Sequence, residues 1–382
     1  MSVSPLTTPA PAPARPSSGR AGAGRAPVLP RAAFLLPAAL ALLAGLDAAL
    51  LLLGLPAPVR TDRLPEVHGV LMVLGFVGTL IALERAVALR RRPGFLAPGL
   101  LGLGGLLLLS PVPLGIGQGL LVAGAAAMAA VYAGLWRRQR DESVLVQALG
   151  AVVATGAALL WLGGVPVPLL LPWRVGFVVL TIGGERLELA RIAMGPRAGE
   201  TLVLLSGGLL AGVVAALLWP RVGAPLFGLA LLAFGGWLAA HDIARRTIRA
   251  RGAPRFMAGC MLAGYAWLGV AGATWLIGGA VSDGARYDVV IHSVFLGFTI
   301  SMIMAHAPTI LPAVLRRPLP YSPVLVVPAV LLHASLALRL WIGDGYGVSA
   351  AWQAGGVLNI TALLLFVVMA AWLSVRAGRA RR

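Results

Sequence analysis

Long apolar runs, several reaching about 18 residues or more with hardly a charge, constrain this chain more than any other feature, because that is the length of a helix that crosses a bilayer. The stretch 201–219, TLVLLSGGLLAGVVAALLW, is one of them. Composition agrees. Of the 382 residues, 59% are hydrophobic and 12% are charged. A soluble domain carries roughly 25% charged residues, and half that supply cannot cover a water-facing surface. The excess apolar residues therefore face lipid or other helices. The expected fold class is all-α, a polytopic transmembrane bundle of about twelve spans.

The net charge is +18, and every basic residue is Arg. The Arg residues fall in short clusters between apolar segments, where they act as topology signals rather than as a nucleic-acid surface. The lipid bilayer is the expected partner. Nucleic acid is not expected, and the sequence names no protein partner. The Ala, Gly, Leu and Arg bias without Lys matches a high-GC bacterial genome, so a bacterial cytoplasmic (inner) membrane is the expected location. The single cysteine, Cys260, lies in an apolar segment and reads as packing.

Residues 1–32 are rich in Pro, Ala, Ser and Arg, cannot bury a core and read as a disordered cytoplasmic tail. The transmembrane domain is expected over 33–376, with a basic C-terminal tail at 377–382. Spans are expected near 33–55, 66–89, 94–112, 116–136, 142–163, 168–192, 200–219, 223–243, 257–280, 287–313, 320–341 and 350–376. The third is the least regular, being short and holding Pro98. With the N-terminus in the cytoplasm, 25 of the 31 Arg residues fall on the cytoplasmic side and 6 on the other. The split alternates loop by loop, so the positive-inside rule supports twelve spans with both ends inside.

Ionisable groups within spans are costly, which makes each a functional candidate. His68 and His292 lie near the outer ends of the second and tenth spans, at similar depth. Two His on separate helices at one depth can hold a haem iron on both faces. Gly69 removes a side chain beside His68 and lets a flat macrocycle approach. On the tenth span Asp288, His292, Thr299 and His306 fall on one stripe of an ideal helix. His292 and His306 are about 21 Å apart along it and would serve separate sites. A helix–helix seam with polar contacts explains the same stripe. His333 lies inside the eleventh span and is a further ligand candidate, while His241 reads as interfacial. Glu84 and Arg85 on the second span and Glu185 and Arg186 on the sixth bring opposite charges to one depth, as ion pairs or as a proton path. Arg174, on the outer side like His68, could pair with haem propionates or sit at the interface. Asp47 is a lone acid in the first span, suited to a buried Arg or a cation. There is no Walker loop, zinc-protease helix, nucleophile elbow or CxxCH haem attachment site.

The segment His68-Gly69-x-x-Met72 resembles the haem-ligand segment in the second helix of heme-copper oxidase catalytic subunits, which also have a twelve-helix core. The tenth span, with His292, Gly297-Phe298, Ser301-Met302 and His306, is similar to the NnrS family of haem- and copper-containing bacterial membrane proteins linked to nitric oxide stress. The resemblance covers the twelve-span layout and two short segments. It implies haem b and copper as cofactors, with His68, His292, Arg174 and Met72 at the haem, and His306 and His333 at a second metal site or polar network. It implies a role in nitric oxide response or electron transfer. The chain departs from the oxidases, which carry copper-ligating His on the sixth and seventh helices and His-x-His in the tenth. Here the sixth and seventh spans contain no His and position 294 is Val, so a dinuclear oxygen- or nitric oxide-reducing centre is not expected. The NnrS pattern places Glu after a His where this chain has Gly69. A proton- or ion-coupled secondary transporter is the alternative, with Asp47, His292, His306, Glu84 and Glu185 lining a path. A non-catalytic assembly or sensor component is a third.

Overall fold

The computed structural model describes residues 31–315 and 317–379. The expected tail over 1–32 lies outside the described residues except for Arg31 and Ala32, which open a 3-10 turn at Arg31–Phe34. Twelve helices follow in series: α1 Leu35–Leu52, α2 Arg63–Leu89, α3 Arg92–Leu108, α4 Leu114–Trp136, α5 Glu142–Leu162 and α6 Val167–Met194. The second half holds α7 Ala198–Leu218, α8 Pro220–His241, α9 Ala253–Gly278, α10 Gly284–Pro312, α11 Pro323–Asp344 and α12 Ser349–Arg379. A single helical turn, Ala244–Thr247, joins α8 to α9. Eleven of the twelve are long and apolar enough to cross a membrane, and α3 is the shorter one. The chain is therefore a multi-pass helical membrane protein. Each expected span coincides with one helix. The expected basic tail begins later, because α12 runs on through Arg379.

Local chemistry explains the breaks. Asp141 caps α5 by accepting the Ser143 amide at 2.8 Å, so one orphan N–H of the first turn is satisfied. Gly195 and Gly279 end α6 and α9 with φ of 96° and 73°, a left-handed backbone that glycine adopts without strain. Pro98 falls in the first turn of the regular part of α3, where the missing N–H has no helical partner to lose.

Successive helices pack as antiparallel neighbours. Small residues let them approach. A Cβ on Gly105 of α3 would sit 3.0 Å from the Cα of Gly75 on α2, and one on Gly223 of α8 would sit 2.1 Å from the carbonyl carbon of Ala215 on α7. The middle of the bundle belongs to α2, α6 and α10, whose apolar windows are 72%, 78% and 67% buried, against 33–50% for the other eight long helices. Side chains on outer helices, such as Leu204 and Ile277, are largely exposed. That is the pattern of a bundle solvated by hydrocarbon.

Two of the central helices are not regular. Leu71–Gly78 of α2 and Ser293–Ile300 of α10 are π-helical, as is Leu338–Asp344 of α11. The Thr299 hydroxyl donates to the Val294 carbonyl five residues back at 3.0 Å, in the π register. A π bulge inserts a residue and turns everything after it by about 100° relative to an ideal helix. The expected single stripe through Asp288, His292, Thr299 and His306 is therefore broken. His292 faces one set of neighbours and His306 another.

Candidate functional site

The bundle gathers its polar side chains at two levels. The first lies near the N-terminal ends of α2 and α10. The His68 Nδ1 lies 2.9 Å from the Gly45 carbonyl of α1. Gly45 makes this reach possible, because the Met72 side chain fills the space of its missing Cβ and brings α1 close to α2. Met72 thus packs against α1. The His292 Nδ1 lies 3.0 Å from the Asp288 carbonyl and 3.1 Å from the Asp288 carboxylate. Every partner of the two Nδ1 atoms is an acceptor, so each Nδ1 bears a hydrogen, and in the neutral form of each ring the lone pair falls on Nε2. Neither Nε2 has a hydrogen-bond partner among the described residues, and His292 is an electrostatic neighbour of His68. This is how ligating histidines are held, with one nitrogen fixed by a carbonyl or carboxylate and the other free.

The support continues outward. Arg339 of α11 grips Asp288 through Nε at 2.8 Å and Nη2 at 2.7 Å, and Trp352 of α12 donates to the same carboxylate at 3.2 Å. The Arg339 guanidinium also stacks 5.1 Å from the centre of the Trp352 ring. Asp344 lies beside Asp288, and its buried Oδ2 has no partner among the described residues.

Arg174 projects from α6 at this level. It is 4% exposed. A Cβ on Gly69 would lie 3.6 Å from its Nη1, which places the guanidinium beside the residue that follows His68. Tyr287 of α10 is its electrostatic neighbour. No described carboxylate pairs with it, and its Nε is buried without a partner. A buried guanidinium in this state attracts an anion.

The second level lies toward the other ends of α2, α6 and α10. Arg85 pairs with Glu84 beside it and with Glu188 of α6 at 3.0 Å, and Gln147 of α5 donates to Glu188 at 3.1 Å. Arg186 does not pair with this group. It forks onto Asp242 at 2.8 and 3.1 Å and donates to the His306 Nε2 at 2.8 Å. Tyr265 and the Ala244 amide donate to Asp242 as well. Burial pushes the Asp242 carboxyl up, but the hydrogen bonds from Arg186 and the attraction of its charge outweigh this and hold it below its ordinary value. Glu185 makes no hydrogen bond or ion pair with a described residue. Together with Glu84 and His306 it borders a cavity of ≈480 Å³.

Three expected site residues are otherwise engaged. The His306 Nδ1 faces the Met302 carbonyl at 2.8 Å, so its Nε2 accepts from Arg186 and no lone pair is left for a metal. The His333 Nδ1 accepts from Trp267 at 3.0 Å, and its Nε2 meets the Ser301 hydroxyl at 3.1 Å, which leaves neither nitrogen free. Asp47 accepts the Val59 amide at 3.2 Å and so ties down the loop after α1 rather than pairing with an Arg. Among the described residues no group of three or more His, Cys, Asp and Glu is gathered for a metal.

The match of its sequence decides where the chain stands among known families. It belongs to the DUF8744 family. The family model, described as Domain of unknown function (DUF8744), matches residues 31–375. No curated protein and no solved structure matches the chain. The DUF8744 match takes in all twelve helices but the end of α12, and it contains both polar levels.

Sequence reasoning missed Asp242, Asp344 and the pairing of Asp288 with Arg339. In this DUF8744 chain Asp242 follows the last residue of α8 and reads as an interfacial acid beside His241. Its partner lies 56 residues away. An acid at a span end next to a basic cluster was the signal available.

Proposed function

We propose that this DUF8744 protein binds a b-type haem between α2 and α10, which His68 and His292 would hold, and serves electron transfer in a bacterial cytoplasmic membrane. Twelve spans with both ends in the cytoplasm, and an NnrS-like relationship, belong to the same reading. One observation carries it: two imidazoles on neighbouring central helices, each anchored through Nδ1, each with an Nε2 that has no partner among the described residues. Arg174, buried beside Gly69 without an acidic partner among the described residues, fits a propionate carboxylate.

Bound haem would supply one-electron chemistry. The Gly45 carbonyl and the Asp288 carboxylate fix the tautomer and angle of the two rings, and Asp288 makes its imidazole a stronger donor. Arg339 and Trp352 keep Asp288 in place. Were both imidazoles to hold the iron, no position would remain for a gas, which favours electron transfer over a direct reaction with nitric oxide. With the nitrogens of His306 and His333 engaged, the reading assigns no copper.

The test is the visible spectrum of the purified protein with its haem content. Wild type is expected to show a Soret band at one haem per chain. His68→Ala and His292→Ala should each shift or lose it, and Arg174→Met should keep the band while releasing haem more readily. A wild type with no Soret band, even after reconstitution, overturns the reading. The cavity bordered by Glu84, Glu185 and His306 favours a second reading, ion-coupled secondary transport. Substrate flux in proteoliposomes by a colourless protein would support that one.

A further inference from the structure

The cavity at the second polar level is not used by the haem reading. It measures ≈480 Å³, within the range of small-molecule sites, and is bounded by α1, α2, α6, α10 and α12. Its wall is mostly apolar, with Leu42, Phe76, Ile81, Ile303 and Phe366 among the residues that form it. Val367 and Val375 also border it and are exposed on the outer surface of α12, so the space communicates sideways with the apolar surface of the bundle.

The charges on this wall do not balance. Arg85 is shared between Glu84 and Glu188. Arg186 is taken by Asp242. His306 is held neutral, with Nδ1–H directed at Met302 and Nε2 accepting from Arg186. Arg317 borders the cavity but is exposed. What is left facing the space is the carboxyl group of Glu185, which has no hydrogen-bond or ion-pair partner among the described residues, with Glu84 nearby and sharing its cation. A carboxylate away from water is stabilised by a cation that hydrogen-bonds to it, and the apolar wall is stabilised by hydrocarbon.

We infer that this cavity binds a lipophilic primary ammonium compound, with its NH3+ group on Glu185 and Glu84 and its hydrocarbon among the apolar side chains. A small hydrophilic cation would leave that wall uncovered. An anion would meet the Glu185 and Glu84 carboxyls, and a neutral alcohol would gain no charge-assisted hydrogen bond from them.

The test measures binding of decylammonium and of decanol to the full chain in phosphatidylcholine nanodiscs, with empty discs subtracted. Wild type is expected to bind decylammonium saturably and at least about tenfold more tightly than decanol, as a charge-assisted hydrogen bond predicts. Glu185→Gln should reduce decylammonium affinity about tenfold and leave decanol unchanged. Ile303→Trp, which fills the space without changing charge, should abolish saturable binding. Binding no greater than to empty discs, equal affinity for the two compounds, or an unaltered Glu185→Gln overturns the inference. The wild-type comparison decides the matter even if a variant fails to fold. The inference is independent of the haem: a colourless protein that binds the ammonium sustains it, and a coloured one that does not refutes it.

Discussion

Arg186 and Asp242 are almost fully enclosed, with side chains 4% and 0% exposed, so each depends on the other to offset its charge. Removing one partner of such a pair leaves a charge that water cannot reach, at a cost of about 3–5 kcal/mol. Asp242→Ala is therefore expected to lower the unfolding midpoint of the purified protein sharply, with Arg186→Met/Asp242→Leu recovering part of the loss. The pH dependence has a definite sign. The Asp242 carboxyl is held below its ordinary value, which is about 3.9. Its contribution is complete above that ordinary value and is lost as the pH falls through the lower, folded value. The wild-type midpoint should stay level from neutral pH down to about 5 on this account and fall below about 4, and Asp242→Asn should flatten the fall. A variant that follows the wild-type acid curve would show that another carboxylate governs it.

Helices are set by what lies between them. Gly75 and Gly105 let α2 and α3 touch through backbone, since a Cβ on Gly105 would stand 3.0 Å from the Gly75 Cα. Gly105→Val is expected to push the helices apart and cost about 1–3 kcal/mol, as overpacking usually does. Thermal unfolding in detergent measures it, and an unchanged midpoint would mean that the contact is loose. The positions of the helices were legible in the sequence because apolar length and Arg clusters announce them. Their rotation was not. The spacing from His292 to His306 is favourable on an ideal helix, yet the π segment Ser293–Ile300 turns His306 toward Arg186 and leaves His292 with Asp288. Nothing in the residue pattern marks the inserted residue. His68 and His292 were found because His is rare and both lie near the outer ends of their spans, and Arg174 because it lies on the same side, whereas Asp242 and Asp344 depend on contacts that only the folded chain creates.

For the molecule as a whole, α3 decides the topology. If all twelve helices cross, the two ends of the chain share a side; if α3 turns back, they do not. Cys260 is 4% exposed, so the natural chain offers little background for thiol labelling. Ser4→Cys and Ala380→Cys are expected to react with an impermeant maleimide only after the membrane is opened from the cytoplasmic side. Labelling of one from each side would remove α3 from the count.

Arg174 has a consequence for the life of the protein. Among the described residues no carboxylate pairs with this buried cation, so in the proposed reading an anion from outside the chain would supply the missing charge. An unpaired buried charge costs stability, and an anion that bound it would return that stability by mass action. The amount that survives proteolysis should therefore rise and fall with the cell's stock of that anion, independently of how much is synthesised.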